Sequence, residues 1–348
     1  MEILLKEVNI MQTDFAVQLS KFLAHYLPDV KGASINTITS YRDAFRLFLE
    51  YCSTCEGMSP DKIQFSDIDE DLVKKFLSWL ENIRGCAAST RNQRMAALDS
   101  FFRYSQIYSP ECICEIQRIL AIPAKKVSQP ALCYIQFDDM KRILEMPDIS
   151  VPKGRRDRLI MCLLYDTGAR VSELLNIRFR DIRIDAPARV ILNGKGSKQR
   201  VVPLMDDTVS CLKQYLQETE KTRDTSGTGY LFCSNRDEKF TRAGISYILK
   251  KYVDMARPKC NDLPAKVTPH TLRHSKAMHL LQAGVSIVYI KDILGHKDIT
   301  TTQIYARADL NAQKEALSKA KIHIESPAMS LEWSSDTDLM NWLDDLCK

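Results

Sequence analysis

The sequence TPHTLRH occupies residues 268–274, LGH follows at residues 294–296, and Tyr305 comes nine residues after the last histidine. Thr268 is a favourable N-cap residue, and the proline after it suits the first position of a helix. The first histidine and the arginine of TPHTLRH are three residues apart, so their side chains would share one helical face. This stretch therefore predicts a helix that presents a histidine and an arginine together.

Glycines predict where the helices around this motif end. Gly284 closes the first helix, and Gly295 closes a second helix over Ile287–Leu294 that a serine caps. His296 is therefore expected just past a helix end. A short helix that opens at Thr300 would then carry the tyrosine.

Arg170 lies at a second break between helices. The residues Leu159–Leu164 predict a buried helix, and Thr167-Gly168 breaks it shortly before the arginine. Arg170 would start the next helix at a turn. Taken alone, it is a surface arginine paired with Glu173, one turn further on.

Lys195 lies at the turn of a predicted β-hairpin. The strands are Arg189–Asn193 and Gln199–Leu204, with glycines on both sides of the lysine at the turn. By itself, a lysine in this place is more often a solvated turn residue than a functional one. The weight of these basic residues comes from their occurrence together in one chain.

Together these residues resemble the tyrosine recombinase family, which is also called the phage integrase family. The resemblance covers residues 132–321 closely and the preceding segment more loosely. Within the family, the sequence is most similar to Xer-like recombinases or to those carried by mobile elements. Each residue of the family's catalytic set has a match in this sequence: Arg170, Lys195, His270, Arg273, His296 and Tyr305. Any one of these motifs is weak evidence, but all six in this order are strong.

The resemblance implies an enzyme that cuts and rejoins DNA through a 3′-phosphotyrosyl intermediate and needs no ATP. Arg170 and Arg273 would each hold two non-bridging oxygens of the transition state, and His296 would donate a further hydrogen bond. His270 would assist the loss of the tyrosine proton, because a neutral phenol is a poor nucleophile. Lys195 would protonate the departing 5′-oxygen as general acid.

Length and composition allow such a protein. The chain has 348 residues, enough for two domains, and 45% of them are hydrophobic. No apolar run could cross a bilayer, and the sequence does not begin with a signal peptide. The 11 cysteines show no disulfide framework, and Cys52-x-x-Cys55 and Cys112-x-Cys114 lack a second ligand pair at zinc spacing. These features favour a cytoplasmic protein with reduced thiols and no zinc site. The resemblance implies a bacterial-type protein that needs no metal and no cofactor.

The chain is predicted to be mainly α with a small β-hairpin sheet. Predicted helices span residues 15–27, 34–52, 71–83, 90–107 and 241–255, and a short strand-like run spans residues 230–233. Four regions follow: a helical core-binding domain at 1–122, a linker at 123–130, a catalytic domain at 131–325 and a tail at 326–348. In the family, the two domains form a C-shaped clamp around DNA.

Charge and position select candidate DNA contacts. Residues 1–130 carry a net charge of −1, residues 131–325 carry +10 and residues 326–348 carry −4, so a phosphate backbone is expected along the middle region. The candidates are basic residues of the fourth helix, the linker and the helix at 241–255, namely Arg91, Arg94, Lys125, Lys126 and Arg242. Ordinary surface charge explains them equally well.

The tail predicts a short acidic helix with one apolar stripe, formed by Leu339, Trp342, Leu343 and Leu346. It could pack on its own domain, whereas the family resemblance favours docking on a neighbouring protomer. The expected partners are double-stranded recombination sites, a homo-tetramer on that DNA and accessory recombination proteins. A type IB topoisomerase or a non-cutting DNA-binding regulator remains the alternative function.

Overall fold

The computed structural model describes residues 13–127, 132–194, 198–219, 227–233 and 238–308, together with residues 341, 342 and 345. The chain divides into two compact units, Met1–Gln129 and Pro130–Lys348. The described part is mainly helical and contains one small antiparallel sheet, which confirms the predicted fold class. No described helix is both long and apolar enough to span a membrane.

The first unit is built from helices. They are α1 (Asp14–Lys21), a π-helix (Phe22–Val30), α2 (Ile35–Cys55), α3 (Glu70–Asn82), α4 (Ala88–Ser105) and α5 (Ile113–Leu120). Three are capped by side chains, since Thr13, Ser34 and Asp69 accept hydrogen bonds from the first turns of α1, α2 and α3. The four helices predicted for this unit correspond, to within a few residues, to α1 joined to the π-helix, α2, α3 and α4. Helix α5 was not predicted.

An aromatic core holds the first unit together. Phe101 on α4 is fully buried, and its ring centroid lies 5.5 Å from that of Phe15, 5.3 Å from Phe22 and 5.1 Å from Phe45. All three contacts are edge-to-face, an arrangement that adds to the hydrophobic gain of burial. These rings join α1, the π-helix, α2 and α4 into one core.

Residues 132–308 of the second unit, as far as they are described, form eight further α-helices. They are α6 (Phe137–Glu145), α7 (Pro152–Thr167), α8 (Val171–Leu175), α9 (Asp206–Thr219), α10 (Arg242–Ala256), α11 (Pro269–Gln282), α12 (Ile287–Leu294) and α13 (Thr300–Ala308). Helix α7 is central, because residues 159–165 are all buried and it packs against α6, α9 and α11.

The sheet of the second unit has three antiparallel strands, β1 (Ile182–Arg183), β2 (Arg189–Asn193) and β3 (Gln199–Pro203). Val190 pairs with Val202 and Leu192 with Arg200 in the hairpin. Alternation places Val190, Leu192 and Val202 in the core. The hairpin strands match the prediction, and β1 is an addition. The expected strand at 230–233 is only a pair of isolated bridges, at Tyr230 and Cys233.

Candidate active site

Helix α11 places three candidate residues beside each other. Thr268 caps it: its hydroxyl accepts a hydrogen bond from the Thr271 amide at 3.3 Å, and Pro269 occupies the first turn. His270 is exposed, Arg273 is buried at 3% exposure, and His274 is half-buried. The helix therefore turns Arg273 and His274 toward the inside of the unit.

Arg273 joins two chain segments that the sequence separates widely. Its Nη1 donates to the Gly168 carbonyl at 2.6 Å, and its Nη2 donates to the Leu294 carbonyl at 2.7 Å. Gly168 has a left-handed backbone, with φ of 55°, and a Cβ there would lie 2.6 Å from the Leu294 side chain. Two of the five guanidinium N–H groups thus bind backbone carbonyls, and among the described residues no further hydrogen bond engages the other three.

The buried carboxylate of Glu173 forms ion pairs with two arginines. Its carboxylate is 2% exposed and accepts from Arg170 Nη1 and Arg200 Nη2, both at 2.8 Å, and from the Arg170 amide at 2.9 Å. Burial pushes the pKa of Glu173 up, but the hydrogen bonds from the two arginines outweigh it and bring the pKa below its ordinary value. The side chain of Arg170 remains 37% exposed, so its guanidinium is held by Glu173 and still accessible to solvent.

Arg200 carries this ion-pair network from the hairpin to the Leu-Gly-His motif. Its Nε donates to the Ile293 carbonyl at 2.8 Å, next to the carbonyl that Arg273 binds. Gly295 has a left-handed backbone, with φ of 65°, and a Cβ there would lie 2.9 Å from Arg200 Nη1, so both the backbone and the passing arginine favour glycine. Arg200 and Arg273 therefore cap the last turn of α12 side by side and fix the start of the His296 loop.

Tyr305 lies between two histidines. The residue is 1% exposed, and its hydroxyl is 2.9 Å from His274 Nδ1. The ring of His296 is nearly parallel to the tyrosine ring, at an interplanar angle of 11° and a centroid distance of 6.5 Å. His296 Nδ1 is 2.8 Å from the hydroxyl of Thr302, a fully buried residue on the helix that carries Tyr305.

The charges of the site set the protonation of these groups. Burial, and then Arg273 and Arg170, lower the pKa of His296 to about 4, so this ring is neutral at neutral pH. When Nδ1 accepts from the Thr302 hydroxyl, the neutral ring carries its proton on Nε2 and can donate it to a ligand. When Nδ1 donates to Thr302, Nε2 is an acceptor. Burial lowers the pKa of Arg273 to about 10, which leaves it charged. Burial raises the pKa of Tyr305, although Arg273 and Arg170 oppose this shift, so Tyr305 is a neutral phenol.

The structure brings Arg170, Arg273, His296 and Tyr305 together, with His270 at the exposed rim. Lys195 lies outside the described residues, as does most of the tail stripe. Trp342 is described and is 60% exposed. Three contributors had not been predicted: Arg200, His274 and Thr302. Only His274 had a signal in the sequence, since it lies four residues after His270 on one helical face.

The candidate DNA contacts differ in their surroundings. Arg91 is buried and donates to the Pro123 carbonyl at 3.2 Å, so its guanidinium holds the end of the first unit. Arg94 donates to the Ser40 carbonyl at 3.1 Å. Lys125 is exposed but pairs with Glu81 at 2.7 Å. Lys126 and Arg242 are exposed.

An Arg200→Gln variant is expected to lose about 1–3 kcal/mol of the free energy of unfolding. Glu173 keeps Arg170 but loses its second arginine, and the Ile293 carbonyl loses its donor. Urea denaturation would measure the loss. The matched control is Arg42→Gln, whose arginine pairs with Asp43 at 3.0 Å with both side chains exposed, at 65% and 39%. That control should cost under about 1 kcal/mol. Equal small losses in both variants would contradict a structural role for Arg200.

Comparison with known families shows two matches in this chain. Residues 134–312 match the Phage integrase family, and residues 20–106 match the N-terminal SAM-like domain of phage integrases. The chain is 35% identical to the integrase/recombinase y4rC of Sinorhizobium fredii, over 94% of this chain and 97% of that protein. It is 31% identical to the tyrosine recombinase XerC of Pelotomaculum thermopropionicum, over 87% of this chain and 97% of the relative.

Solved structures share the fold. The XerH site-specific recombinase bound to a palindromic difH substrate has a TM-score of 0.65, with 23% identity over 86% of this chain and 84% of that chain. The Tn1549 transposon integrase in complex with transposon right-end DNA also has a TM-score of 0.65, with 16% identity over 86% of this chain and 98% of that chain.

Proposed function

Because this chain belongs to the phage integrase family and is a tyrosine-type site-specific DNA recombinase, we propose a tyrosine nucleophile for it. That nucleophile, with which the protein would cut DNA, is Tyr305. The observation that carries the proposal is the position of the Tyr305 hydroxyl. It is hydrogen-bonded to His274, beside the charged Arg170 and Arg273. The tyrosine oxygen would attack a backbone phosphorus, forming a 3′-phosphotyrosyl link and releasing a 5′-hydroxyl.

The positive groups of the site would stabilise the negative charge of the pentacoordinate transition state. Arg170 and Arg273 are held in place before DNA arrives, by Glu173 and by two backbone carbonyls, so no reorganisation is needed as charge develops. The neutral His296 would donate a hydrogen bond from Nε2–H to an oxygen of the phosphate in the transition state. This set supplies the charge neutralisation that metal ions provide in other phosphoryl-transfer enzymes.

Two further residues would move protons. Lys195, which lies between β2 and β3 in the sequence, is proposed as the general acid that protonates the departing 5′-oxygen. His270, at the exposed rim of α11, is proposed to contact the bound phosphate and assist proton transfer. Burial, then Arg273 and Arg170, lower the pKa of His270, so a bound phosphate, which screens the arginines, would make it more basic.

The domain boundaries are proposed as core-binding domain 1–122, linker 123–130, catalytic domain 131–325 and tail 326–348. The two family matches, at 20–106 and 134–312, support them. We propose that the protein acts in the cytoplasm as a homo-tetramer on double-stranded recombination sites, with its tail docked on a neighbouring protomer. Integration, excision or transposition of DNA would be the outcome. Relatives crystallised on their DNA sites support the DNA partner.

The proposal is tested by incubating the full-length chain with nicked suicide duplexes cut from candidate element ends, in the presence of EDTA. The expected result is a covalent protein–DNA adduct that survives denaturation and forms at the same rate with and without EDTA. A second assay on two intact sites should give joined recombinant products. Cleavage that needs added magnesium, or relaxation of supercoils without site preference, would contradict the proposed mechanism.

A further inference from the structure

His274 is the residue that the structure places against the nucleophilic atom of the proposed reaction. Its Nδ1 lies 2.9 Å from the Tyr305 hydroxyl, and the two ring centroids are 5.7 Å apart. His270, one turn earlier on α11, is exposed, and among the described residues no hydrogen bond joins it to the tyrosine. A group that removes the phenolic proton has to lie within hydrogen-bond reach of it, and His274 meets this requirement.

We propose that His274 is a catalytic residue that accepts the proton of Tyr305 during DNA cleavage and returns it during rejoining. This inference rests on the proposed function of Tyr305. In cleavage, the O–H bond of Tyr305 breaks, an N–H bond forms at His274 Nδ1, and the tyrosine oxygen bonds to phosphorus. The P–O5′ bond breaks, and the 5′-oxygen takes a proton from a separate donor, proposed to be Lys195. In rejoining, a 5′-hydroxyl gives its proton to Lys195 and its oxygen bonds to phosphorus. The tyrosine oxygen leaves phosphorus and recovers its proton from His274.

The protonation states fit a transfer in this direction. Burial, then His270 and Arg273, lower the pKa of His274, so its ring is neutral at neutral pH and Nδ1 can accept. Tyr305 is neutral as well, so its O–H can donate to Nδ1 when the His274 ring carries its proton on Nε2, the tautomer that the proposal requires. The charged or titratable groups that face His274 are His270 and Arg273 on its own helix, Tyr305 on α13 and His296 beyond α12.

Substrate binding would make His274 a stronger base. The positive charge of Arg273 is one reason that the ring resists protonation in the free chain. A DNA phosphate bound to the arginines brings a negative charge that offsets this repulsion. The proton would therefore move to His274 once the phosphate is in place, which couples activation of the nucleophile to the presence of its target.

The same helix carries a natural control for this geometry. His279 Nδ1 is 2.7 Å from the hydroxyl of Tyr165, and its Nε2 is 2.9 Å from the Ile135 carbonyl. Because a carbonyl only accepts, His279 carries its proton on Nε2 and accepts from Tyr165 at Nδ1. The two histidines thus make equivalent contacts with a tyrosine, and only His274 contacts the proposed nucleophile.

The test measures single-turnover adduct formation by full-length His274→Asn, His274→Ala and His279→Asn on a suicide duplex between about pH 5.5 and 9. Asparagine can still accept the tyrosine hydrogen bond but cannot take its proton. We expect His274→Asn to react about 10²–10⁴-fold more slowly than the wild type, with a rate that rises with pH. Added imidazole should restore part of the rate of His274→Ala. His279→Asn should react at the wild-type rate and gain nothing from imidazole.

A substrate with sulfur in the bridging 5′ position separates the two proton transfers. Sulfur leaves without a proton, so Lys195→Ala should recover on it, whereas His274→Asn should stay slow. A His274→Asn variant with a wild-type rate and pH profile, and a His274→Ala variant that imidazole does not rescue, would overturn this inference alone. A wild-type chain that forms no adduct would overturn the proposed function together with it.

Discussion

An Arg273→Lys variant is expected to cleave DNA at least about 10²–10³-fold more slowly than the wild type, the loss typical of one transition-state donor. Lysine keeps the positive charge but cannot bind the carbonyls of Gly168 and Leu294 and also contact two phosphate oxygens. Leaving a buried carbonyl without a donor costs about 1–3 kcal/mol, so the free energy of unfolding should fall as well. Single-turnover cleavage and urea denaturation measure the two effects separately.

Arg257→Lys is the matched control for the structural part of that loss. Arg257 donates to the backbone carbonyls of Leu263, Pro264 and Ala265 in the same unit, at 3.5, 3.1 and 3.5 Å. Its replacement should reduce stability in a similar way and leave the cleavage rate of the folded protein unchanged. If folded Arg273→Lys also cleaved within about tenfold of the wild type, Arg273 would be a structural arginine only.

A Tyr305→Phe variant is expected to bind DNA with wild-type affinity and to form no covalent adduct at any time. Phenylalanine fills the same buried position but lacks the oxygen that attacks phosphorus, so the loss of cleavage is complete. The missing hydrogen bond to His274 should cost only about 1 kcal/mol of stability. A gel-shift titration measures the binding, and a denaturing gel of the suicide-substrate reaction measures the adduct.

Tyr289→Phe is the control for this substitution. Tyr289 lies on α12, between Arg273 and His296 in the sequence, and is 68% exposed, so it is the next candidate nucleophile. The control should form the adduct at the wild-type rate. An adduct that persists in Tyr305→Phe and disappears in Tyr289→Phe would move the nucleophile to α12.

Local signals explain what the sequence predicted well. The cap at Thr268, the glycine at the end of α12 and the turn at Gly168 act within a few residues, so the ends of α11, α12 and α7 could be predicted. The spacing of His270 and Arg273 on one helix follows from the same local geometry. The family motif supplied the roles of these residues, which spacing alone does not.

Contacts between distant segments explain what the sequence did not predict. Arg200 binds Glu173 and the Ile293 carbonyl, which are 27 and 93 residues away, and no local pattern marks such a contact. Arg91 was predicted from its position on the fourth helix as a candidate DNA contact, yet that face is buried against the Pro123 carbonyl. Helical periodicity predicts the side of a helix that is apolar, but not where the chain later returns to cover it.

The identity of the residue joined to DNA tests the central claim most directly. Wild-type protein would be trapped on a suicide duplex and digested with trypsin, and the DNA-linked peptide would be sequenced by mass spectrometry. We expect the peptide that contains Tyr305, with that residue joined to the 3′-phosphate of the cleaved strand. A link through another residue, or to a 5′-phosphate, would contradict the proposed active site.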